Sequence, residues 1–228
     1  PVKVEPNTLL GQGTDVYSQA EVLGFYDPDR SQGTLKRNEQ GLFNGASYSD
    51  AIAAMKEAAA AGGMAVLAST HSSPTLARLG GELAASGADW VWWSPVGRDT
   101  ERMGAEMAFG KPVRTLYDLS KADVVVSLDG DFLNGHPDSV GMSADFATRR
   151  EPELGDMSRL YAIESRFSTT GVVSDHRLPV KSSDAGAILQ LIEAGLGMGT
   201  PGARAAELGK NDKVAAFVKA VADDMKGS

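Results

Sequence analysis

Between Lys121 and Gln190 the chain runs through an apolar, β-branched segment, ADVVVSLDGDFLNGHP, and then a second, RLYAIESRFSTTGVVSDHRLPVKSSDAGAILQ, which opens a helix. Apolar runs this short, bounded by Asp, Gly and Ser and lacking polar alternation, read as strands covered on both faces. Strands of that kind pair in parallel, and parallel partners need a long crossover between them, usually a helix. The segment therefore has the outline of a nucleotide-binding half-fold. Its charges are wrong for that task. A diphosphate is held by backbone N–H groups and a helix N-terminus clear of anions, whereas Asp129 and Asp131 stand at the end of the first strand.

The same alternation is present upstream. Ser47 and Asp50 open SYSDAIAAMKEAAAAGG, an Ala-rich helix stopped by Gly62 and Gly63. Met64 to Ser69 reads as a strand, and Ser73 to Ser86 as a helix with Leu76, Leu79 and Leu83 in step. Trp90 to Trp93 is again strand-like, and Glu101 to Phe109 helical. Downstream, Val124 to Leu128 and Leu160 to Glu164 are strands, and Ala185 to Leu196 is a helix capped by Ser182, Ser183 or Asp184. A last helix covers Asn211 to Lys226, with Val214, Phe217, Val218 and Val221 on one side. The expected fold class is α/β, a Rossmann-like, mainly parallel sheet with helices on both faces, plus an irregular N-terminal arm. The expected boundaries are an arm at 1–45, an α/β domain at 46–200 and a C-terminal helical segment at 201–228. The arm is rich in turn-forming residues, with the cluster Tyr26-Asp27-Pro28-Asp29-Arg30-Ser31. Pro1 to Glu5 starts like the middle of a strand, so the whole chain is expected to be a fragment of a larger subunit.

Composition narrows the function. With 228 residues, 42% of them hydrophobic, the chain can bury a core. A net charge of -8 argues against nucleic acid and anionic membrane surfaces, whose binding rests on clustered Lys and Arg. The apolar runs fall short of the ~20 residues of a spanning helix, so no direct membrane span is expected. The absence of cysteine excludes disulfides, thiolate metal sites, iron-sulfur ligation and a Cys nucleophile within this chain.

Four motifs invite chemistry. Gly197, Gly199 and Gly202 match Gly-x-Gly-x-x-Gly, but they follow a helix instead of a strand, which points to a helix–helix connection. His71, His136 and His176 fall in expected loops, where they serve either as zinc ligands or as loop hydrogen-bonding groups; no His-x-x-x-His spacing supports the metal. Serines near His71 and His176 lack the Gly-x-Ser-x-Gly elbow of a hydrolase. Strand alternation puts Trp90 and Trp92 on one face and Val91 and Trp93 on the other, with core packing for at least one pair.

The stretches Pro1 to Glu5, Gly13 to Gln32 with its YDPDRSQ, Ala122 to Pro137, Asp145 to Arg150 and above all Arg159 to Asp184, with SRLYAIES and SDHRLPV, carry a resemblance over nearly the whole chain. They resemble the molybdopterin oxidoreductase family of the dimethyl sulfoxide reductase type, and most closely the degenerate molybdopterin-like domain in the large iron-sulfur subunit of alternative complex III. In active members, the resemblance implies, the stretch matching Gly13 to Ala20 supplies a cluster cysteine and, two residues on, a lysine; Asp15 and Tyr17 occupy those places here. A carboxylate is a poor substitute for thiolate at such a centre. The cradle of the guanine dinucleotide corresponds to Asp129 to Pro137, Glu164-Ser165-Arg166 and Lys181 to Asp184, with Asn134, Arg166, Ser183 and Asp184 as the family-equivalent contacts. The chain departs from the family at all three: two added carboxylates, Glu-Ser where binders have Asp-Pro, and a shorter turn at Ser182-Ser183-Asp184.

The resemblance implies a non-catalytic scaffold without bound molybdopterin or iron-sulfur cluster, with clusters elsewhere in the parent subunit. Its implied partners are the remaining domains of that subunit, haem-containing subunits and membrane quinol-oxidising subunits. Its implied location is the periplasmic side of the bacterial inner membrane. The alternatives are a pterin guanine dinucleotide-binding domain of an active molybdenum oxidoreductase, and a free-standing nucleotide-binding enzyme; the latter wants a Gly-rich strand-to-helix turn that the chain lacks.

Overall fold

Each apolar run read as a strand pairs in parallel with the next one of its group. A computed structural model describes residue 4 and residues 13–71, 73–155 and 157–227. In chain order the elements are α1 (Val16–Glu21), β1 (Thr34–Arg37), β2 (Phe43–Ala46), α2 (Tyr48–Ala60), β3 (Ala65–Ala68), α3 (Pro74–Ala85), β4 (Asp89–Trp92) and α4 (Asp99–Phe109). These are followed by β5 (Val124–Leu128), α5 (Ser139–Thr148), β6 (Arg159–Glu164), α6 (Thr169–Val173), β7 (His176–Pro179), α7 (Ala185–Gly195), α8 (Ala203–Leu208) and α9 (Asp212–Gly227). The protein is Rossmann-like α/β, with parallel sheets and flanking helices.

The chain forms two compact units, one of residues 26–115 and one of residues 116–228 together with 1–25. This division differs from boundaries at 45 and 200. The strand-like start read at 1–5 lies, apart from Val4, outside the described residues. Within the stretch expected to be an irregular arm, β1 and β2 form an antiparallel hairpin, Thr34 opposite Ala46 and Arg37 opposite Phe43. Its strands are short and polar, and Gly41 closes the turn at φ 80°, which is why no apolar pattern announces it.

In the 26–115 unit, α2 starts on a capping box: the Asp50 N–H donates to Ser47 Oγ at 3.1 Å and the Ser47 N–H to Asp50 Oδ2 at 2.8 Å. It stops at Gly62 and Gly63, both left-handed. β3 and β4 pair in parallel with Val66 beside Trp90 and Ala68 beside Trp92, and α3 is the crossover between them. Trp90 lies against Gly80 of α3, where an added Cβ would meet the indole at 2.9 Å. The rings of Trp90 and Trp92 stand edge to face, 5.3 Å apart. Val91 and Trp93 are on the opposite, exposed side, as alternation requires.

In the other unit β5, β6 and β7 form an all-parallel sheet in that order, Leu128 beside Ile163 and Ile163 beside Leu178. Period-2 alternation divides its side chains between two cores. Tyr161, Ile163 and Leu178 pack with Ile188 and Ile192 of α7 and Val214 and Val221 of α9. Leu160 turns the other way, onto Met142 and Phe146 of α5 with Leu119 and Phe132. Leu160, Ile163, Ile188 and Val221 are wholly buried, and each such side chain contributes ~1.5–3 kcal/mol of transfer free energy.

Charged groups hold the sheet at the start of its strands. Asp175 accepts the Leu160 N–H at 2.8 Å and a bidentate pair from Arg150 at 2.8 and 2.9 Å. Asp224 of α9 accepts from Arg159 at 2.5 Å and from the buried Tyr161 hydroxyl. The Tyr161 hydroxyl and the Arg159 guanidinium hold the Asp224 carboxyl below its ordinary range, while burial raises the Tyr161 phenol.

Candidate functional site

In open parallel sheets ligands sit beyond the carboxyl ends of the strands. Three segments converge there: the turn after β5, the residues following β6, and the turn between β7 and α7. The first starts at Asp129, whose φ of 50° is left-handed and unique among the described non-glycine residues. Asp tolerates that conformation better than most residues.

The Asp129 carboxylate spans the sheet end. One oxygen accepts the Ser165 N–H and the Ser165 hydroxyl, each at 2.9 Å, and the other accepts the Ser182 hydroxyl. The Ser182 bond, the Ser165 bonds and the nearby Arg166 cation hold its pKa below the usual carboxylate value. Asp131 acts similarly one turn later, accepting the Thr170 N–H at 3.0 Å and the Thr170 hydroxyl at 2.8 Å. That hydroxyl in turn receives the Leu133 N–H at 3.2 Å. Both carboxylates, placed at the strand end where the sequence sets anions against a phosphate, accept hydrogen bonds from the neighbouring segments.

Glu164 closes the next gap. It is 4% exposed and accepts from Arg177 Nε and from the Ser168 hydroxyl, each at 2.5 Å. Burial pushes its pKa up, but the bonds from Ser168 and Arg177 more than offset that, leaving it below the ordinary value. Gly171 of α6 lies so near that a Cβ would fall 1.9 Å from Glu164 Oε1.

The four residues named by resemblance are distributed along this edge. Asn134 sits in the turn made by Asp131, its N–H on the Asp131 carbonyl at 3.3 Å. Arg166 is exposed beside Ser165, and Ser183 is exposed in the 3-10 turn Ser182–Asp184. Asp184 is buried and drawn away, its two oxygens accepting from Arg204 of α8 at 2.8 and 2.7 Å. It occupies the N-cap position of α7 but makes no capping bond. In this arrangement the serine donors at the strand ends bond Asp129, and the Asp184 carboxylate pairs with Arg204. The residues that sequence reasoning missed are Ser165 and Ser182 as donors to Asp129, Thr170 as donor to Asp131, and Arg204. The one available signal was Asp129-Gly130 directly after an apolar strand, a dipeptide suited to a left-handed turn.

The remaining candidates lie apart from this network. Asp15 caps α1, accepting the Ser18 N–H at 2.7 Å, and that bond is the main cause of its lowered pKa. Tyr17 is 67% exposed. His71 Nδ1 accepts the Ser73 N–H at 2.9 Å, and His136 Nδ1 accepts the Asp138 N–H at 3.0 Å. His176, expected in a loop, instead opens β7 and stacks on Tyr161 with ring centroids 4.9 Å apart. Among the described residues no group of three or more His, Cys, Asp and Glu is placed to hold a metal. Gly197 and Gly199 are left-handed in the connection from α7 to α8, the helix–helix link expected of them. Among the described residues no helix is long and apolar enough to cross a membrane. No family model matches the chain, and no curated protein matches it.

Proposed function

We propose that this chain is a non-catalytic scaffold domain with the outline of a molybdopterin-oxidoreductase cofactor domain, and that it holds neither molybdopterin nor an iron-sulfur cluster. The observation that carries the reading is the Asp129 bridge, in which the chain's own carboxylate takes the donors at the ends of adjacent parallel strands. The bidentate Asp184–Arg204 pair supports it by occupying a carboxylate that guanine recognition would require. The resemblance of the Arg159 to Asp184 stretch supplies the setting: a larger subunit of a respiratory quinol-oxidising complex on the periplasmic face of the bacterial inner membrane. Haem-containing and membrane quinol-oxidising subunits would be its partners. The domain's work there is to present surfaces and fix distances.

The test is a chemical inventory of the native polypeptide. Molybdenum by plasma mass spectrometry and guanine nucleotide released by acid should both stay below one-tenth of an equivalent per chain. Either one at stoichiometric level overturns the reading in favour of a pterin-binding oxidoreductase domain.

A further inference from the structure

Asn44 and Gly45 are adjacent, exposed residues of β2. A glycine after an asparagine leaves the backbone nitrogen between them unshielded by a side chain. A Cβ added at Gly45 would meet nothing within 4 Å, so the approach to that nitrogen is open. The ladder frees its hydrogen as well. The Asn38 N–H donates to the Leu42 carbonyl at 2.9 Å, and the register sets Lys36 opposite Asn44 and Leu35 opposite Gly45. Bonded and non-bonded pairs alternate in an antiparallel ladder, so Lys36 with Asn44 is a bonded pair and Leu35 with Gly45 is not. The Gly45 N–H therefore points away from β1. A two-stranded hairpin is of marginal stability and opens locally, which gives Asn44 the torsional freedom for its side chain to reach that nitrogen. The chain's other Asn-Gly pair, Asn134-Gly135, is placed differently. There the Gly135 N–H is held by the Asp131 carbonyl at 2.6 Å, and an added Cβ would lie 3.3 Å from the same oxygen.

We propose that Asn44 is a site of spontaneous deamidation, with water as the co-reactant. The Gly45 nitrogen attacks the Asn44 side-chain carbonyl carbon and forms a C–N bond, closing a cyclic succinimide. The side-chain nitrogen leaves as ammonia, carrying the proton that the Gly45 nitrogen gives up. Water then adds to one of the two ring carbonyls and breaks its bond to the ring nitrogen, which takes back a proton. Opening at the side-chain carbonyl gives aspartate, and opening at the main-chain carbonyl gives isoaspartate. Either product puts a carboxylate opposite Lys36, at the groove that Lys36, Arg37, Asp50 and Glu57 line between the hairpin and α2. Isoaspartate also lengthens the main chain by a carbon, which moves Gly45 and Ala46 out of step with Leu35 and Thr34.

The test is incubation of the whole chain at neutral pH, followed by peptide mapping with mass spectrometry. The Asn44 peptide should convert at least ~tenfold faster than the Asn134 peptide, with isoaspartate in excess of aspartate. In concentrated urea, where both pairs lose their folded surroundings, the two rates should agree within about twofold. Gly45→Ala adds a methyl that meets nothing in the fold, and it should slow conversion at Asn44 by at least ~tenfold while leaving Asn134 unchanged. The comparison between the two sites uses the unmodified chain and so decides the question even if this variant does not fold. Conversion at Asn134 that equals or outpaces Asn44 in the folded chain overturns the proposal. So does a gap between the sites that persists in urea, or conversion at Asn44 that is indifferent to Gly45→Ala.

Discussion

The sheet at 124–179 and the sheet at 65–92 are written in the same way, as parallel strands of four to six residues with helical crossovers, yet only one of them is filled. Every residue of β6 after Arg159 is buried, whereas β3 and β4 contain no buried residue. β6 has a partner strand on each side and helices over both faces. β3 and β4 have one partner each and α3 against one face, leaving Leu67 71% exposed and Val91 49% exposed on the other. The difference separates two levels of information. Caps, glycine stops and β-branched runs suffice to form elements, but burial requires a second layer on each face of the sheet.

Truncation in the two strands should show the contrast most strongly. Ile163→Ala removes a wholly buried side chain and should cost about 2–5 kcal/mol in urea unfolding, while Leu67→Ala should stay within about 0.5 kcal/mol. Equal losses would mean that the two sheets are covered alike. In hydrogen exchange on the whole chain, the amides of Tyr161 to Ile163 should exchange at least ~100-fold more slowly than those of Val66 to Ala68, because local opening governs the poorly covered sheet.

Glycine substitutions give a smaller effect of opposite sign. Gly171→Ala drives a methyl into Glu164 and should destabilise by about 1–3 kcal/mol. Gly81→Ala in α3 meets nothing within 4 Å and should stabilise its helix by about 0.5–1 kcal/mol.

The smallest expected effect is on pH. Asp129, Glu164, Asp175 and Asp224 all have lowered folded-state pKa values. A carboxyl of that kind stabilises the fold while ionised; the contribution is complete above its unfolded value and is lost as pH falls through the folded one. The urea midpoint followed by the Tyr161 region should therefore decline from about pH 5 toward pH 3. The drop should be modest for the solvent-screened pairs. A midpoint that rises over this interval would show that these carboxyls are not ionised partners in the folded chain.

Much of the architecture was legible. Ser47, Asp50, Gly62 and Gly63 marked α2 almost to the residue, and the apolar runs at 64–69, 124–128 and 160–164 marked their strands to within a residue at each end. β7 was missed because HRLP is short, polar and ends in proline, and α5 because its sequence mixes apolar, glycine and polar residues without a clear stripe. The acidic character of the strand end was visible, but its resolution was not. The bonds that hold Asp129 reach 36 and 53 residues along the chain, and no local pattern reports a partner at that distance.

The carboxylates at the two ends of β6 have a consequence for alignment. Sliding a strand by two residues, ~6.6 Å, leaves every side chain on its original face, so the apolar pattern alone permits such a shift. Asp175 grips the Leu160 N–H at one end, and Asp129 grips Ser165 at the other. A displaced strand would lose both grips together, so ionised groups select one alignment among several that packing tolerates.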